Sequence, residues 1–259
     1  MNKEAINNLL EFNKNLNKTE MYEKCKLSVS KIVDAFKTPF DRDGQAERCS
    51  KKYKDDPNSK YYNMEPWDII ELWESNAARS RHIGTSLDSF IGAILEHKIE
   101  KVDNIYNNES DESILARYDV FKRLVENELN KNGFKFICRE QWVCDYEYGW
   151  KGRFDVLFEK DDSVLLIDWK SNETISTENK YDNLKGPLYK YCASDLNGYT
   201  IQLYLYKYAL EKYFGFKNVK VLLCQINDKG YNFYKPAIEY SETLVEQILK
   251  YATEKLNQE

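Results

Sequence analysis

Residues 150–170 read WKGRFDVLFEKDDSVLLIDWK. Two runs with the composition of β-strands flank a polar tip at Asp161 and Asp162, which predicts a β-hairpin. If the turn is centred between these two aspartates, each residue of the first strand faces a defined partner in the second. Asp155 then lies directly opposite Asp168.

The two faces of this hairpin differ in chemistry, because side chains alternate along a strand. One face is expected to be apolar and to pack in the core: Phe154, Val156, Phe158, Leu165, Ile167 and Trp169. The other face is expected to carry Arg153, Asp155, Leu157, Leu166, Asp168 and Lys170. The pattern therefore places two carboxylates and a lysine together.

Two carboxylates directly across a strand pair repel each other, so this arrangement favours a neutralising cation or proton. Hard oxygen ligands suit Mg²⁺ or Mn²⁺ better than zinc. Such an ion polarises a phosphate and lowers the pKa of bound water. Lys170 would orient or deprotonate the attacking water, or neutralise phosphate charge. The alternative is a solvated face on which Lys170 pairs with Asp155 or Asp168. The apolar run that leads into Asp168 favours the catalytic interpretation.

The segment Gly152-Arg-Phe-Asp155, followed by Asp168-Trp-Lys170, resembles the PD-(D/E)xK nuclease superfamily, and in particular its RecB-like and mitochondrial-genome-maintenance-exonuclease-like branch. Gln202-Leu-Tyr-Leu-Tyr206 resembles the QxxxY helix of that branch. Gly84-Thr85 resembles the start of its GTxxH motif. The resemblance covers roughly residues 67–226, with the motifs in the order of the branch.

This resemblance implies an α/β fold with a restriction-endonuclease-like core, a mixed central β-sheet flanked by helices, and an N-terminal helical layer. It implies a helical extension and loop over residues 1–64 and a nuclease domain over residues 65–259. The implied activity is a metal-dependent DNA exonuclease that acts on DNA ends or single strands in recombination, repair or replication. The compact size suggests a stand-alone, phage-like enzyme. A structure-specific endonuclease with the same site, or a non-catalytic nucleic-acid-binding module that keeps the fold, are the alternatives.

The resemblance also implies roles for individual residues. The implied catalytic residues are Asp155, Asp168, Lys170 and Glu140. The implied metal ligands are Asp155, Asp168, Glu140 and Asp88. Asp88 stands where the branch has a histidine, and its alternative role is in a helix-capping box with Thr85. The expected nucleic-acid contacts are Gln202, Tyr206, Arg153, Lys151 and Lys185. For Gln202 and Tyr206, a packed polar pair is the alternative.

Composition limits the remaining function classes. The net charge of −5 gives no overall basic footprint of a nucleic-acid binder, so a nuclease of this composition needs a local basic groove. The six cysteines show no CxxC spacing and only two histidines are present, which argues against a zinc finger. Cys192 and Cys224 do not match the cysteine spacing of the branch members with iron–sulfur clusters, so no cluster is expected. Scattered cysteines favour reduced thiols in the cytoplasm of a bacterium or a phage-infected cell.

Periodicity and turn residues predict the elements around the hairpin. The predicted helices span residues 1–38, 65–79, 86–98, 111–131, 200–214 and 241–256, with Gly84-Thr85 separating the second from the third. The predicted strands span residues 134–145, 151–159, 163–171, 219–226 and 231–236. The predicted loops span residues 39–62, 101–111 and 172–198.

Overall fold

The structure is a computed structural model that describes residues 2–256. Its helices are α1 (Lys3–Asn15), α2 (Lys18–Lys24), α3 (Val29–Ala35), α4 (Arg42–Tyr53), α5 (Pro66–Leu95), α6 (Ile99–Asn107), α7 (Glu112–Leu124), α8 (Asp195–Phe214) and α9 (Glu242–Leu256). Its strands are β1 (Leu27–Ser28), β2 (Lys135–Asp145), β3 (Trp150–Lys160), β4 (Ser163–Lys170), β5 (Val219–Ile226) and β6 (Tyr231–Tyr234). No helix within residues 2–256 is long and apolar enough to cross a membrane.

The strands form one mixed sheet. Strand β2 runs antiparallel to β3 along one edge of that strand. The other edge of β3 is shared, because β1 pairs with its beginning in parallel and β4 pairs with its end antiparallel. The sheet continues through β5, parallel to β4, to β6, which is antiparallel to β5.

Helices cover both faces of this sheet. One hydrophobic cluster joins buried residues of α1, α3, α8 and α9 to β3 and β4. A second cluster joins α5 and α7 to the opposite face. This arrangement confirms the predicted α/β class with a mixed central sheet flanked by helices. The division of the chain at residue 64 stays a prediction.

The register of the β3–β4 hairpin confirms the prediction. Val156 pairs with Ile167, and Lys160 pairs with Ser163. Asp161 begins the turn with φ of +54°, a left-handed conformation that aspartate tolerates better than most residues. The paired positions end at Val156 and Ile167, so Asp155 and Asp168 come next at the open end of the hairpin.

The predicted position of Phe154 on the apolar face with Val156 is wrong. Phe154 packs in the cluster of α8, whereas Val156 packs in the cluster of α5 and α7. The alternation breaks at Asp155, which pairs with neither neighbouring strand. Glu140, the β2 residue between the partners of Phe154 and Val156, has φ of +54°, so the pleat is interrupted on both strands at this position.

The predicted break at Gly84-Thr85 is also wrong, because α5 continues through both residues. An internal glycine costs about 1 kcal/mol of helix stability, and the buried residues Ile83, Leu87 and Phe90 of α5 offset this cost by packing in the core. Thr85 therefore lies inside a helix and forms no capping box.

Several other helix boundaries in the structure differ from the predicted ones. The predicted loop at 39–62 contains α4, which is too polar to show a helical pattern clearly. The predicted loop at 101–111 contains most of α6, whose apolar residues Ile99, Val102, Ile105 and Tyr106 do recur at helical spacing. The predicted helix at residues 1–38 is divided into α1, α2 and α3, with β1 between the last two. The predicted helix at 111–131 is an α-helix only as far as Leu124, and the chain then continues as a π-helical segment, Val125–Asn130.

Candidate active site

Asp168 is the buried centre of the predicted site, with 2% of its surface exposed. It lies near the end of β4, where its side chain points toward α8. Gln202 Nε2 of α8 donates a hydrogen bond of 2.7 Å to Asp168 Oδ1. Lys170 Nζ lies 2.5 Å from Asp168 Oδ2, but outside hydrogen-bond geometry, so Oδ2 accepts no hydrogen bond. One carboxylate oxygen is thus fixed by an amide, and the other faces only the lysine charge.

Asp155 is half-buried beside Asp168. Its Oδ2 accepts a hydrogen bond of 2.8 Å from the backbone N–H of Trp169. Burial, and next the negative charge of Asp168, raise the pKa of Asp155 well above its ordinary value. The predicted carboxylate pair therefore lies together, and burial with the nearby Asp168 charge favours a proton or a cation at Asp155.

Lys170 supplies the positive charge next to this pair. Burial lowers the pKa of Lys170, but Asp168 and Asp155 outweigh burial and leave the pKa above its ordinary value. The ring of Tyr199, on α8, lies 4.7 Å from Lys170 Nζ and adds a cation–π contact. Lys170 is therefore held as an ammonium ion.

Glu140 and Arg153 form the outer part of the site. Arg153 Nη2 lies 2.6 Å from Glu140 Oε2, and the arginine side chain is half exposed. Burial raises the pKa of Glu140, although the Arg153 charge opposes this shift. Both residues line a cavity of about 360 Å³, together with Asp155, Lys170 and Asp88. The structure thus brings Glu140 and Arg153 to the predicted centre.

Asp88 reaches the same cavity from α5, but its carboxylate is already paired. Arg139 Nη2 of β2 donates to Asp88 Oδ1 at 2.6 Å. Arg139 Nη1 also lies 3.8 Å from Glu96, two turns further along α5. The guanidinium passes over Gly92, where a Cβ atom would lie 2.4 Å from Arg139 Nη1. The sequence analysis does not identify Arg139. Its signal in the sequence is Gly92, which lies four residues from each of the acids Asp88 and Glu96, so that one arginine can cross the helix surface and reach both.

Tyr206 supports the site from inside the core. It is 4% exposed, and its hydroxyl donates a hydrogen bond of 3.0 Å to the carbonyl of Arg153. That carbonyl belongs to the part of β3 between the positions paired with β1 and with β4. Gly152 makes this packing possible, because a Cβ there would lie 2.6 Å from Tyr206 Cε1. Tyr206 therefore supports β3 from the core and is too deeply buried to contact nucleic acid, whereas Gln202, one turn earlier on α8, binds Asp168.

The predicted nucleic-acid contact of Lys151 is wrong. Lys151 is 8% exposed, its ammonium group donates to the carbonyl of Cys25, and it lies 4.6 Å from the ring of Tyr22. Its position beside β1 explains this burial. Lys185 is half exposed beside Phe36, to whose carbonyl its backbone N–H donates at 2.9 Å, and it does not line the cavity.

The loop that follows β4 is held by side chains that the sequence pattern did not single out. Gln225 Nε2 donates to the carbonyls of Asn172 and Glu173 at 2.8 and 3.0 Å. Arg117, which is fully buried, pairs with the Glu173 carboxylate. These contacts fix the chain directly after Lys170.

The donor set fits a hard divalent cation in part. Asp168 Oδ2 is a buried oxygen paired with Lys170 Nζ at 2.5 Å, and Asp155 is a second carboxylate whose pKa is raised by burial and by the Asp168 charge. Both are oxygen ligands of the kind that Mg²⁺ and Mn²⁺ prefer. Within residues 2–256, however, no three acidic, histidine or cysteine side chains converge as a ready metal site. Glu140 and Asp88 are the nearby carboxylates, and each is bound to an arginine.

A larger cavity of about 720 Å³ lies between α5, α7 and β2, away from these residues. Its walls are mainly apolar, and Glu126 is the one acidic residue among those that line it. It therefore offers no carboxylate pair and no comparable chemistry.

Comparisons with known proteins identify distant structural likenesses. No protein-family model matches the sequence, and no curated protein matches it. The crystal structure of a protein from Eubacterium rectale named "Putative exonuclease" aligns over 95% of this chain and 83% of its own, with 13% identity and a TM-score of 0.48. The crystal structure of SSO0001 aligns over 68% of this chain and 74% of its own, with 16% identity and a TM-score of 0.32. Likenesses this distant carry no argument about activity.

Proposed function

We propose that this protein is a divalent-metal-dependent nuclease that hydrolyses phosphodiester bonds. The observation that carries this proposal is the convergence of Asp155, Asp168 and Lys170 at the end of the β3–β4 hairpin, beside a cavity open to substrate. A buried carboxyl group with a raised pKa, Asp155, beside a second carboxylate and a lysine held as a cation is typical of a functional site rather than of a structural ion pair.

Asp155 and Asp168 would hold the cation, and Glu140 or Asp88 would join them after release from its arginine. When bound, the cation would polarise the scissile phosphate and lower the pKa of a bound water. Gln202 keeps one oxygen of Asp168 oriented, and the backbone N–H of Trp169 does the same for Asp155. Such supporting contacts fix carboxylate ligands in position.

Lys170 and Arg153 supply the positive charge toward substrate. Because Lys170 is held as an ammonium ion, it would orient the attacking water and neutralise phosphate charge rather than abstract a proton. Arg153 is half exposed at the mouth of the cavity and would contact a phosphate of the bound strand.

The finer proposal is a DNA exonuclease that acts on DNA ends or single strands. It rests on the RecB-like order of the motifs, from the Gly84 segment through Asp155 and Asp168 to Gln202. An endonuclease with the same site and a non-catalytic binding module are the two alternatives. Cleavage of a circular substrate would identify the endonuclease. The absence of any cleavage would identify the non-catalytic binding module.

The test is cleavage of end-labelled linear single-stranded DNA, with a circular control, in Mg²⁺ or Mn²⁺. Asp168→Asn should lower the rate at least about 100-fold, the order of loss when one charge-stabilising group is removed. Asp162→Asn is a matched control, because Asp162 is an exposed aspartate in the turn of the same hairpin. Shortening of the linear strand alone supports an exonuclease, and cutting of the circle supports an endonuclease. No cleavage by the wild type, or equal activity of both variants, contradicts the proposed catalytic site.

A further inference from the structure

A groove of about 790 Å³ lies between the β1–α3 region and the end of α9. It is lined by the side chains of Lys26, Lys31 and Lys37, with Phe40 at its edge and Asp34 as the one acidic residue in its lining. Phe40 is 69% exposed, which is unusual for so large an apolar side chain. We name this feature the lysine groove.

Three ammonium groups of the lysine groove form no direct ion pair with the described part of the protein, although Lys26 Nζ donates to the carbonyl of Tyr22. Within residues 2–256, no carboxylate lies within 4.0 Å of the ammonium groups of Lys26, Lys31 or Lys37, although the chain has more acidic than basic residues. Grouped, unpaired ammonium ions repel each other, and a bound polyanion removes this repulsion. The groove therefore provides the local basic surface that a nuclease with a net charge of −5 needs.

The lysine groove is lined by the β1–α3 region, the segment that follows α3 and the end of α9, and two of its side chains also contact helices that carry residues of the candidate site. On one wall, Lys37 Nζ lies 3.1 Å from the position of a Cβ at Gly198 in the first turn of α8. The next residue of α8 is Tyr199, whose ring contacts Lys170. At the edge of the groove, the ring of Phe40 lies 5.8 Å from that of Trp73, which precedes Asp88 by about four turns of α5.

We propose that the lysine groove binds the backbone of a single-stranded polynucleotide whose reacting phosphate lies in the cavity lined by Asp155 and Lys170. Lys26, Lys31 and Lys37 would contact successive phosphates. Phe40 would stack on a base, which requires the unpaired bases of a single strand. This inference rests on the proposed nuclease function, because it makes the groove the substrate path of that site.

The test measures binding without cleavage. Fluorescence anisotropy of a labelled oligothymidylate in EDTA, over a range of salt concentrations, gives the slope of log Kobs against log salt. Each phosphate contact with a single strand contributes about −0.7 to this slope. Replacement of Lys26, Lys31 and Lys37 by Ala should therefore reduce its magnitude by about 2. The matched control replaces three exposed lysines near the opposite edge of the sheet, in β5 and around β6: Lys220, Lys229 and Lys235.

Phe40 gives an independent arm of the test. Loss of one stacked base corresponds to roughly 5- to 150-fold weaker binding for Phe40→Ala, whereas Phe40→Trp should retain wild-type affinity. Equal salt slopes for the two triple variants, or no binding of the oligonucleotide by the wild type, overturn the inference. If the groove variants alone weaken binding and Mg²⁺ or Mn²⁺ produces no cleavage, the groove stands and the proposed nuclease function fails.

Discussion

Replacement of Gly152 by alanine should destabilise the fold and disturb the site at once. A Cβ at this position would lie 2.6 Å from Tyr206 Cε1 and 2.6 Å from Val29 Cγ2. Both neighbours are buried side chains in the cluster that covers this face of the sheet, so neither can swing into solvent. The Tyr206 ring must move, and its hydroxyl must then leave the carbonyl of Arg153.

The magnitude follows from two contributions. Overpacking a buried site by one methyl group typically costs about 1–3 kcal/mol. Loss of the tyrosine hydrogen bond adds about 0.5–1.5 kcal/mol. The free energy of unfolding of Gly152→Ala should therefore fall by about 2–4 kcal/mol. For a chain of this size, that change corresponds to a decrease in Tm of about 5–15 °C.

Urea denaturation followed by circular dichroism measures this loss. Gly230→Ala is the matched control, because no atom lies within 4 Å of a Cβ at Gly230. Adding Val29→Ala to Gly152→Ala should restore part of the lost stability, since it removes one of the two clashing atoms. A Gly152→Ala protein as stable as Gly230→Ala would refute the assigned packing of Tyr206 and β3.

Three further predictions concern the site and the thiols. Gln202→Ala should lower the rate of the proposed cleavage about 10- to 100-fold in steady-state kinetics, since loss of a side chain that hydrogen-bonds to a metal ligand has an effect of this size. Asp155→Asn should raise the Tm of the metal-free protein at pH 7, by about 2–4 °C for each kcal/mol that the substitution adds to the free energy of unfolding. Because the folded-state pKa of Asp155 is raised, this gain is complete above that pKa and disappears as pH falls through it toward the unfolded value; equal gains at pH 7 and pH 3 would contradict it. Burial raises the pKa of the Cys138 thiol to about 12, so a thiol reagent at pH 8 should modify it only after unfolding. The cysteines expected to react in the folded protein are the half-exposed ones, Cys49 and Cys192.

The hairpin and its chemistry could be predicted because their determinants are local. Strand alternation and a two-residue polar turn fix the register of β3 and β4 within residues 150–170. Asp155, Asp168 and Lys170 lie on this one hairpin, so the prediction of their proximity needs no long-range information. The buried strand Val219–Ile226 was predicted with the same bounds, because its apolar run ends in turn residues on both sides.

The parts that could not be predicted depend on distant neighbours. The reversal of Phe154 coincides with the left-handed backbone of Glu140 on the neighbouring strand β2. The burial of Lys151 depends on β1 and on the carbonyl of Cys25. The pairing of Asp88 with Arg139 requires α5 to continue past Gly84, and core packing rather than local propensity decides that continuation.

The pairing of β1 with β3 has a consequence for the order of folding. Leu27 meets Trp150 about 120 residues further along the chain, and the antiparallel partner β4 is made later still. Contacts this far apart form slowly, because a long loop must close before they stabilise anything. During synthesis, α1–α3 must therefore wait without their sheet partner until the hairpin emerges from the ribosome. The residues of the candidate site then come together only as one of the last events of folding.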